Sequence, residues 1–470
     1  MKNKITWGIL GLGVMGTSLS RNFARQGIEL ALFNRFVKGS EEQVAIQKVK
    51  KYPELKKALP FENLESFVKQ IATPRKLLLM LPSGEPTDAI LKALVSLLDE
   101  GDVVIDGGNS HYQKTEKRAS ILKRKGILFL GMGVSGGEEG ALKGPSLMIG
   151  GDASAYSFVE KDLHSISAKN EMGTPCCGYL GTGGAGHFVK MVHNGIEYAE
   201  MQLIAEVFEL ALSDPSHSIS SLKTTLDTWQ KTDSQNYLLG ITASILGYYE
   251  KGVPFIDWIE DQASNKGTGA WATASATQIG SPNTLMSAAL HARFTSFFKK
   301  ERIKWSGYFN RKEDSSSVSL DDLKKAYDLS RWINHHQGFE MIRHGSEMYR
   351  WEINSSRIAS IWSNGCIIKS KLMDRLIDDL NQSPTLFDIP RIRSLIKKDI
   401  ESLKGMSILG IKKQIPTPML STSLNYFYAM TQDQSNANLI QAQRDFFGRH
   451  GFRTTDSKSD GLEHGPWANL

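Results

Sequence analysis

Lys190, His193, Asn194 and Glu197 fall at i, i+3, i+4 and i+7 within the run Gly183-Gly184-Ala185-Gly186-His187-Phe188-Val189-Lys190-Met191-Val192-His193-Asn194-Gly195-Ile196-Glu197-Tyr198. If the chain becomes helical at about Phe188, these four side chains share one face. An amine, an imidazole, an amide and a carboxylate together make a polar surface able to take, hold and return protons. The other side of the same helix, Met191, Val192 and Ile196 followed by Ala199, Leu203 and Ile204, is apolar enough to bury. Burial of that side would hold the polar groups against a cavity. Taken alone, the pattern equally describes an amphipathic helix with a solvated face, so the elements around it decide.

The first third of the chain reads as a platform for a nucleotide. A short apolar run at residues 5–10 leads directly into Gly11-Leu12-Gly13-Val14-Met15-Gly16 and then into a helix-compatible segment through Arg25. That is the strand, glycine turn and helix that lets a pyrophosphate approach the backbone and the helix N-terminus. The second strand-like run, residues 29–33, ends in Asn34-Arg35-Phe36, where an NAD site would carry an acid for the ribose hydroxyls. Arg35 would attract a 2′-phosphate that an acid would repel, so NADP is expected and NAD is the less favoured alternative. Further strand-like runs at residues 76–81, 103–106 and 127–131 alternate with helical segments at 87–98 and 112–125. Such alternation predicts a parallel sheet covered by helices, with ligands at the carboxyl ends of the strands. Leu81-Pro82-Ser83-Gly84, Asp106-Gly107-Gly108-Asn109-Ser110 and Gly133-Val134-Ser135-Gly136-Gly137-Glu138-Glu139-Gly140 all fall at those ends. Each could be a plain turn, but together they describe a binding rim.

Composition narrows the class. A chain of 470 residues suggests two or three domains. The formal charge of +6 is spread without a basic block, which suits an anionic small substrate better than nucleic acid. Three cysteines, two of them adjacent at Cys176-Cys177, make no disulfide framework and no zinc spacing, so a reducing, cytoplasmic setting is expected. The opening Lys2 and Lys4 with the apolar run behind them resemble a secretion signal superficially, but the glycine turn is the better use of that strand. No apolar run approaches the roughly 20 residues that span a bilayer.

Over essentially its whole length the chain resembles the decarboxylating 6-phosphogluconate dehydrogenases. The strings carrying the resemblance are GLGVMG, DGGNS, GVSGGEEGALKGPS, PCCGYLG, GAGHFVKMVHNGIEY with EMQLIAE, NKGTGAW, GCIIKS and NLIQAQRDFFG, in order and suitably separated. The resemblance implies oxidation of 6-phospho-D-gluconate with NADP, release of carbon dioxide and formation of D-ribulose 5-phosphate, in the oxidative branch of the pentose phosphate pathway and without a metal. It implies Lys190 as the base for the C3 hydroxyl and Glu197 as the acid that protonates C1. A lysine in that role needs a pKa lowered by burial or neighbouring cations, and a carboxylic acid that donates needs the opposite push. Asn109, Ser135, Gly136, Gly137, His193 and Asn194 would hold the sugar acid, and Tyr198, Lys266, Thr268 and Arg293 its phosphate. The cofactor would meet Gly11 to Gly16, Asn34, Arg35, Phe36, Leu81, Pro82, Ser83 and Asn109. Arg444 and His450 match a pair that reaches the neighbouring subunit's site, which implies a homodimer.

The family pattern is not kept everywhere. Phe36 stands where threonine is usual, Pro82 where lysine is frequent, Ala270 for lysine, Ser363-Asn364 for Arg-Gly, and Gly451-Phe452 for Thr-Tyr after His450. The expected architecture is a Rossmann-like α/β domain over residues 1–183, an all-α domain over 184–435 that carries substrate and dimer contacts, and an extended tail over 436–470. Helical patterns at 207–212, 237–249, 284–298 and 321–349 support the second, and residues 310–319 read as an exposed loop. Composition alone would leave the tail disordered. A short β-hydroxyacid dehydrogenase is similar to the first part only and lacks the GHFVKMVHNGIEY string. A non-catalytic NADP sensor would have no use for Lys190 and Glu197 together, and a nucleic-acid binder would need a basic, aromatic-interleaved stretch.

Overall fold

The computed structural model describes residues 5–264, 267–309, 314–455 and 461–469. Its N-terminal part is built on an eight-stranded sheet: β1 Ile5–Leu10, β2 Leu30–Phe33, β3 Leu59–Phe61, β4 Ile71–Leu79, β5 Val103–Asp106, β6 Leu128–Ser135, β7 Ser146–Gly151 and β8 Cys177–Tyr179. The spatial order is β3-β2-β1-β4-β5-β6-β7-β8. Runs such as Leu-Ala-Leu-Phe in β2 and Val-Val-Ile-Asp in β5 are buried at every position, as strands covered by helices on both faces must be.

The sheet is not parallel throughout, as the sequence suggested. β7 runs antiparallel to β6, with Ser135 opposite Ser146 and Leu130 opposite Gly151. A parallel return needs a crossover of a dozen or more residues. Here only the one short helix Gly137–Lys143 separates the strands, and Gly144, at φ 146°, reverses the chain. The short strands β3 and β8 also gave no sequence signal, being three residues each.

Behind β6 and β7 lies the 28-residue helix Ala185–Leu212, the site helix, whose first half is buried on all sides. It can approach so closely because both surfaces lack side chains at the crossing. A Cβ on Gly186 would lie 2.5 Å from the Met148 carbonyl and 2.6 Å from that of Gly131, and a Cβ on Gly133 would collide with Cβ of Lys190. The helix therefore rests on backbone, and its register against β6 is fixed.

A second long helix, Leu320–Tyr349, packs along the first. Gly338 and Gly345 admit Ile196 and Phe188, and the buried Arg331 guanidinium donates from Nε to Glu200 at 2.9 Å. Around the pair stand Thr268–Ile279, Thr284–Ser296, Pro390–Lys412 and Pro418–Met430. Glu206 caps the last of these, accepting from the backbone N–H groups of Met419 at 2.7 Å and Leu420 at 3.1 Å.

The tail begins as a helix, Ala437–Gly448, which composition did not foretell. It folds around one buried acid. Asp445 accepts from Gly451 N, Gly465 N and Trp467 Nε1 at 2.8–2.9 Å and pairs with His464 Nδ1 at 2.7 Å. Those contacts, three of them hydrogen bonds to N–H groups, hold its carboxyl well below the ordinary range. Among the described residues no helix is long and apolar enough to cross a membrane.

Candidate active site

The site helix turns the four spaced residues onto the end of β6. Lys190 Nζ donates to Asn194 Oδ1 at 2.8 Å and lies 3.2 Å from His193 Nδ1. On the far side of the ring, His193 Nε2 is 3.1 Å from Ser135 Oγ, at the last position of β6. One consistent arrangement has the amine donating to Nδ1 and Nε2–H donating to the serine, which fixes a neutral ring. Trp362 closes the imidazole edge-on at 5.5 Å between ring centres. Glu197 follows one turn later, its carboxylate 3.7 Å from His193 Nδ1 and its side chain 22% exposed.

Electrostatics follow from burial. Lys190 is almost wholly enclosed, and desolvation of the ammonium lowers its pKa, against the attraction of Glu197 and Cys366. His193 is pushed well below its ordinary value by burial and by the neighbouring amine. The Cys366 thiol, buried beside the lysine, is pushed up to about 12 and stays protonated. An amine with a depressed pKa beside a neutral imidazole is a competent base.

The loop after β6 turns on two glycines. Gly136 and Gly137 take left-handed φ angles of 120° and 63°, which turn the chain from Ser135 into the helix Gly137–Lys143. Asn109 is exposed on the neighbouring loop after β5. That loop is held by Asp106, whose role no sequence pattern announces. Its carboxylate accepts from Gly108 N at 3.0 Å, Ser110 Oγ at 2.7 Å and Arg118 Nη1 at 2.9 Å. Arg118, on the helix Tyr112–Lys123, was not foreseen at all; nothing local distinguishes it from a surface arginine.

A second group gathers beyond Glu197. Arg293 lies over the Tyr198 ring at 3.6 Å, and Gly269 leaves room for that ring, since a Cβ there would stand 2.7 Å from it. Thr268 is buried at the first turn of its helix, after Gly267 at φ 87°. Tyr198, Thr268 and Arg293 are thus brought together. Lys266 lies outside the described residues. Arg444 and His450 stand apart from this group in the single chain: Arg444 donates to Gln441 at 3.2 Å and His450 packs edge-on against Phe447, both within the exposed tail.

The nucleotide cavity, about 430 Å³, is lined by Gly11, Leu12, Gly13, Asn34, Arg35, Leu81 and Pro82. Phe33, Glu41, Met80, Pro86, Ala89 and Ile90 complete it and were not anticipated. Gly11 holds φ 93°, and a Cβ on Gly16 would collide with the Gly11 carbonyl, so both glycines are required by the turn. The helix Val14–Arg25 starts there, and the N–H groups of Val14, Met15 and Gly16 face no carbonyl one turn back. Val14, Met15, Gly16, Phe36, Ser83 and Asn109, also expected at the cofactor, are not among the residues that line it, and Phe36 is 55% exposed.

Both halves of the chain match known protein families. Residues 6–181 match the family described as the NAD binding domain of 6-phosphogluconate dehydrogenase, and residues 186–467 that described as 6-phosphogluconate dehydrogenase, C-terminal domain. A decarboxylating 6-phosphogluconate dehydrogenase of Bacillus licheniformis is 38% identical over 99% of this chain and 100% of its own length. That of Aggregatibacter actinomycetemcomitans is 37% identical over 98% and 96%. Among solved structures, the Plasmodium falciparum 6-phosphogluconate dehydrogenase, studied without ligand, with NADP+ and with 6-phosphogluconate, superposes with a TM-score of 0.93 at 34% identity, covering 98% of this chain and 100% of that one. With relatives this similar over both halves, the chain belongs to the 6-phosphogluconate dehydrogenase family.

Proposed function

We propose that this chain is an NADP-dependent 6-phosphogluconate dehydrogenase that converts 6-phospho-D-gluconate to D-ribulose 5-phosphate and carbon dioxide in the pentose phosphate pathway. The observation that carries the reading is the enclosed Lys190 amine, held by Asn194 and His193 beside Ser135, with Glu197 one turn on. Lys190 takes the proton of the C3 hydroxyl as C3 is oxidised. The resulting 3-keto acid loses its carboxylate because the electron pair left behind is delocalised into the C3 carbonyl. Lys190, now an ammonium, donates to that oxygen, and Glu197 protonates C1 of the enediol. Two groups on one helical face thus serve oxidation, decarboxylation and tautomerisation.

Asn109, Ser135, Gly136, Gly137, His193 and Asn194 hold the sugar acid, and Tyr198, Thr268 and Arg293, joined by Lys266, meet the phosphate. The 430 Å³ cavity suits the adenosine half of NADP: a glycine turn and free helix N–H groups for the diphosphate, Arg35 for the 2′-phosphate, and the flat apolar wall of Pro82, Pro86, Ala89 and Ile90 for the base. When bound, the nicotinamide supplies the acceptor for the electron pair leaving C3. The domains divide near residues 183 and 435, and two chains pair as a cytoplasmic homodimer in which Arg444 and His450 complete the partner's site. Exposed aromatic side chains on the helical part, Tyr248, Trp258, Phe298, Trp305 and Phe309 among them, support that pairing.

Absorbance of reduced nicotinamide, followed together with released carbon dioxide, tests this directly with 6-phosphogluconate and NADP. Equal amounts of both products are expected. Reduction without carbon dioxide would indicate a simple hydroxyacid dehydrogenase, and no reduction with NADP or NAD would overturn the catalytic reading.

A further inference from the structure

The carboxylate that the end of β2 lacks arrives from elsewhere. Residues 37–41 form a tight turn in which Val37 N donates to the Glu41 carbonyl at 2.9 Å and Glu41 N returns the bond to Val37 at 2.8 Å. Gly39, at φ 82°, makes the reversal. The turn folds Glu41 back into the lining of the nucleotide cavity. There Glu41 Oε1 accepts from Arg35 Nε at 3.1 Å and Nη2 at 2.8 Å, while Oε2 accepts from Asn34 Nδ2 at 2.9 Å. Asn34 is occupied at both ends, since its Oδ1 accepts from Leu12 N at 3.1 Å.

We propose that Glu41 is a specificity-determining residue of the cofactor site, whose carboxylate competes with a 2′-phosphate for Arg35 and serves as the acceptor for the 2′-hydroxyl of NAD. This rests on the reading of the cavity as a dinucleotide site. The hydrogen bonds from Arg35 and Asn34 keep the Glu41 carboxyl below its ordinary range, so it is anionic at neutral pH. A phosphate carrying close to two negative charges must either displace that anion from Arg35 or lie beside it, and either weakens its binding. A ribose hydroxyl, by contrast, finds there the acid that an NAD site employs. With Phe36 offering no hydroxyl to the 2′-phosphate, Arg35 is its main attraction, and Glu41 holds that arginine in advance. The outcome is a site of narrowed preference between the two cofactors.

The pair is exposed, with 67% of the Arg35 side chain and 34% of that of Glu41 accessible, so it contributes little to folding. Glu41→Gln keeps an acceptor for Asn34 and removes the charge. Equilibrium titration of the full chain with NADPH and with NADH, read by nicotinamide fluorescence, gives both dissociation constants without turnover. The substitution is expected to tighten NADPH and weaken NADH, moving their ratio by about tenfold or more, with an unchanged melting temperature. Glu41→Ala should move the ratio the same way. A ratio constant within about twofold in both variants would overturn the inference while leaving the cofactor site in place. If the wild-type chain bound neither nucleotide, the dinucleotide reading itself would fall, and this inference with it.

Discussion

The role proposed for Lys190 makes two demands that conflict in water: the side chain must reach a hydroxyl and must give up its own proton. Burial resolves them by making the ammonium costly, and the resulting low pKa is the direction a base requires. The sign for stability is opposite. The unfolded chain holds the lysine proton more tightly than the folded one, so Lys190 costs the fold stability that is regained only as pH rises toward the ordinary lysine value near ~10.4. Lys190→Met should therefore lose turnover by about a thousandfold or more while leaving the melting temperature no lower. NADPH binding, read by fluorescence, should persist. The acid limb of log kcat/KM in the wild-type enzyme should break below the ordinary lysine pKa, and survival of a tenth of the activity in the variant would remove Lys190 from its role. That Lys190, His193, Asn194 and Glu197 share one face was legible in the sequence because their spacing of three and four is itself a geometric statement. Asp106, Arg118 and Glu41 were not, since each acts across a distance in sequence or through a turn that no periodicity announces. Glu41 in particular lies seven residues past Asn34, at a place where an exposed loop acid is the ordinary expectation.

At the scale of elements, precision comes from contacts between backbones. Gly133 in β6 faces the Cβ of Lys190, and Gly186 faces the carbonyls of Met148 and Gly131, so the site helix has no slack against the sheet. Gly133→Ala should push the helix off β6, costing about 1–3 kcal/mol by overpacking and lowering kcat more than the melting temperature would suggest; the two measured side by side check this. Glu206, which joins the site helix to the helix Pro418–Met430, is pushed up to about 8 by burial despite its two backbone donors. Its folded form holds a proton that the unfolded chain releases above its ordinary value, so its contribution is greatest below that value and is lost as pH rises through about 8. Urea melts across that window should show stability falling with pH, and Glu206→Gln should flatten the slope. Strands and long helices of this kind were readable from apolar runs and period. The antiparallel β7 was not, because direction depends on how few residues separate it from β6, a constraint of chain length that apolar pattern does not carry.

At the scale of the whole molecule, the tail of one chain presents an apolar surface to solvent. The described part of the tail packs around Asp445 yet turns Leu439, Ile440, Phe446 and Phe447 to solvent, each more than half exposed, while Arg444 donates to Gln441 and His450 packs against Phe447 within it. A helix that turns apolar side chains outward has the form of an arm meant for another surface. If that surface is a second copy, each site takes Lys190 from one chain and Arg444 from the other. The consequence is arithmetic. Lys190→Met alone and Arg444→Ala alone should each be nearly inactive. When the two are unfolded together and refolded in equal amounts, half of the dimers are mixed, and each mixed dimer has one site with both residues intact and one with neither. Activity should recover to about a quarter of the wild-type value, at a KM for 6-phosphogluconate equal to that of the wild type. No recovery, with mixed dimers demonstrated by a size tag, would place Lys190 and Arg444 in the same site from the same chain, an active Arg444→Ala variant would leave Arg444 outside the site, and a recovered activity with a raised KM would mean that the arm positions the phosphate only in part.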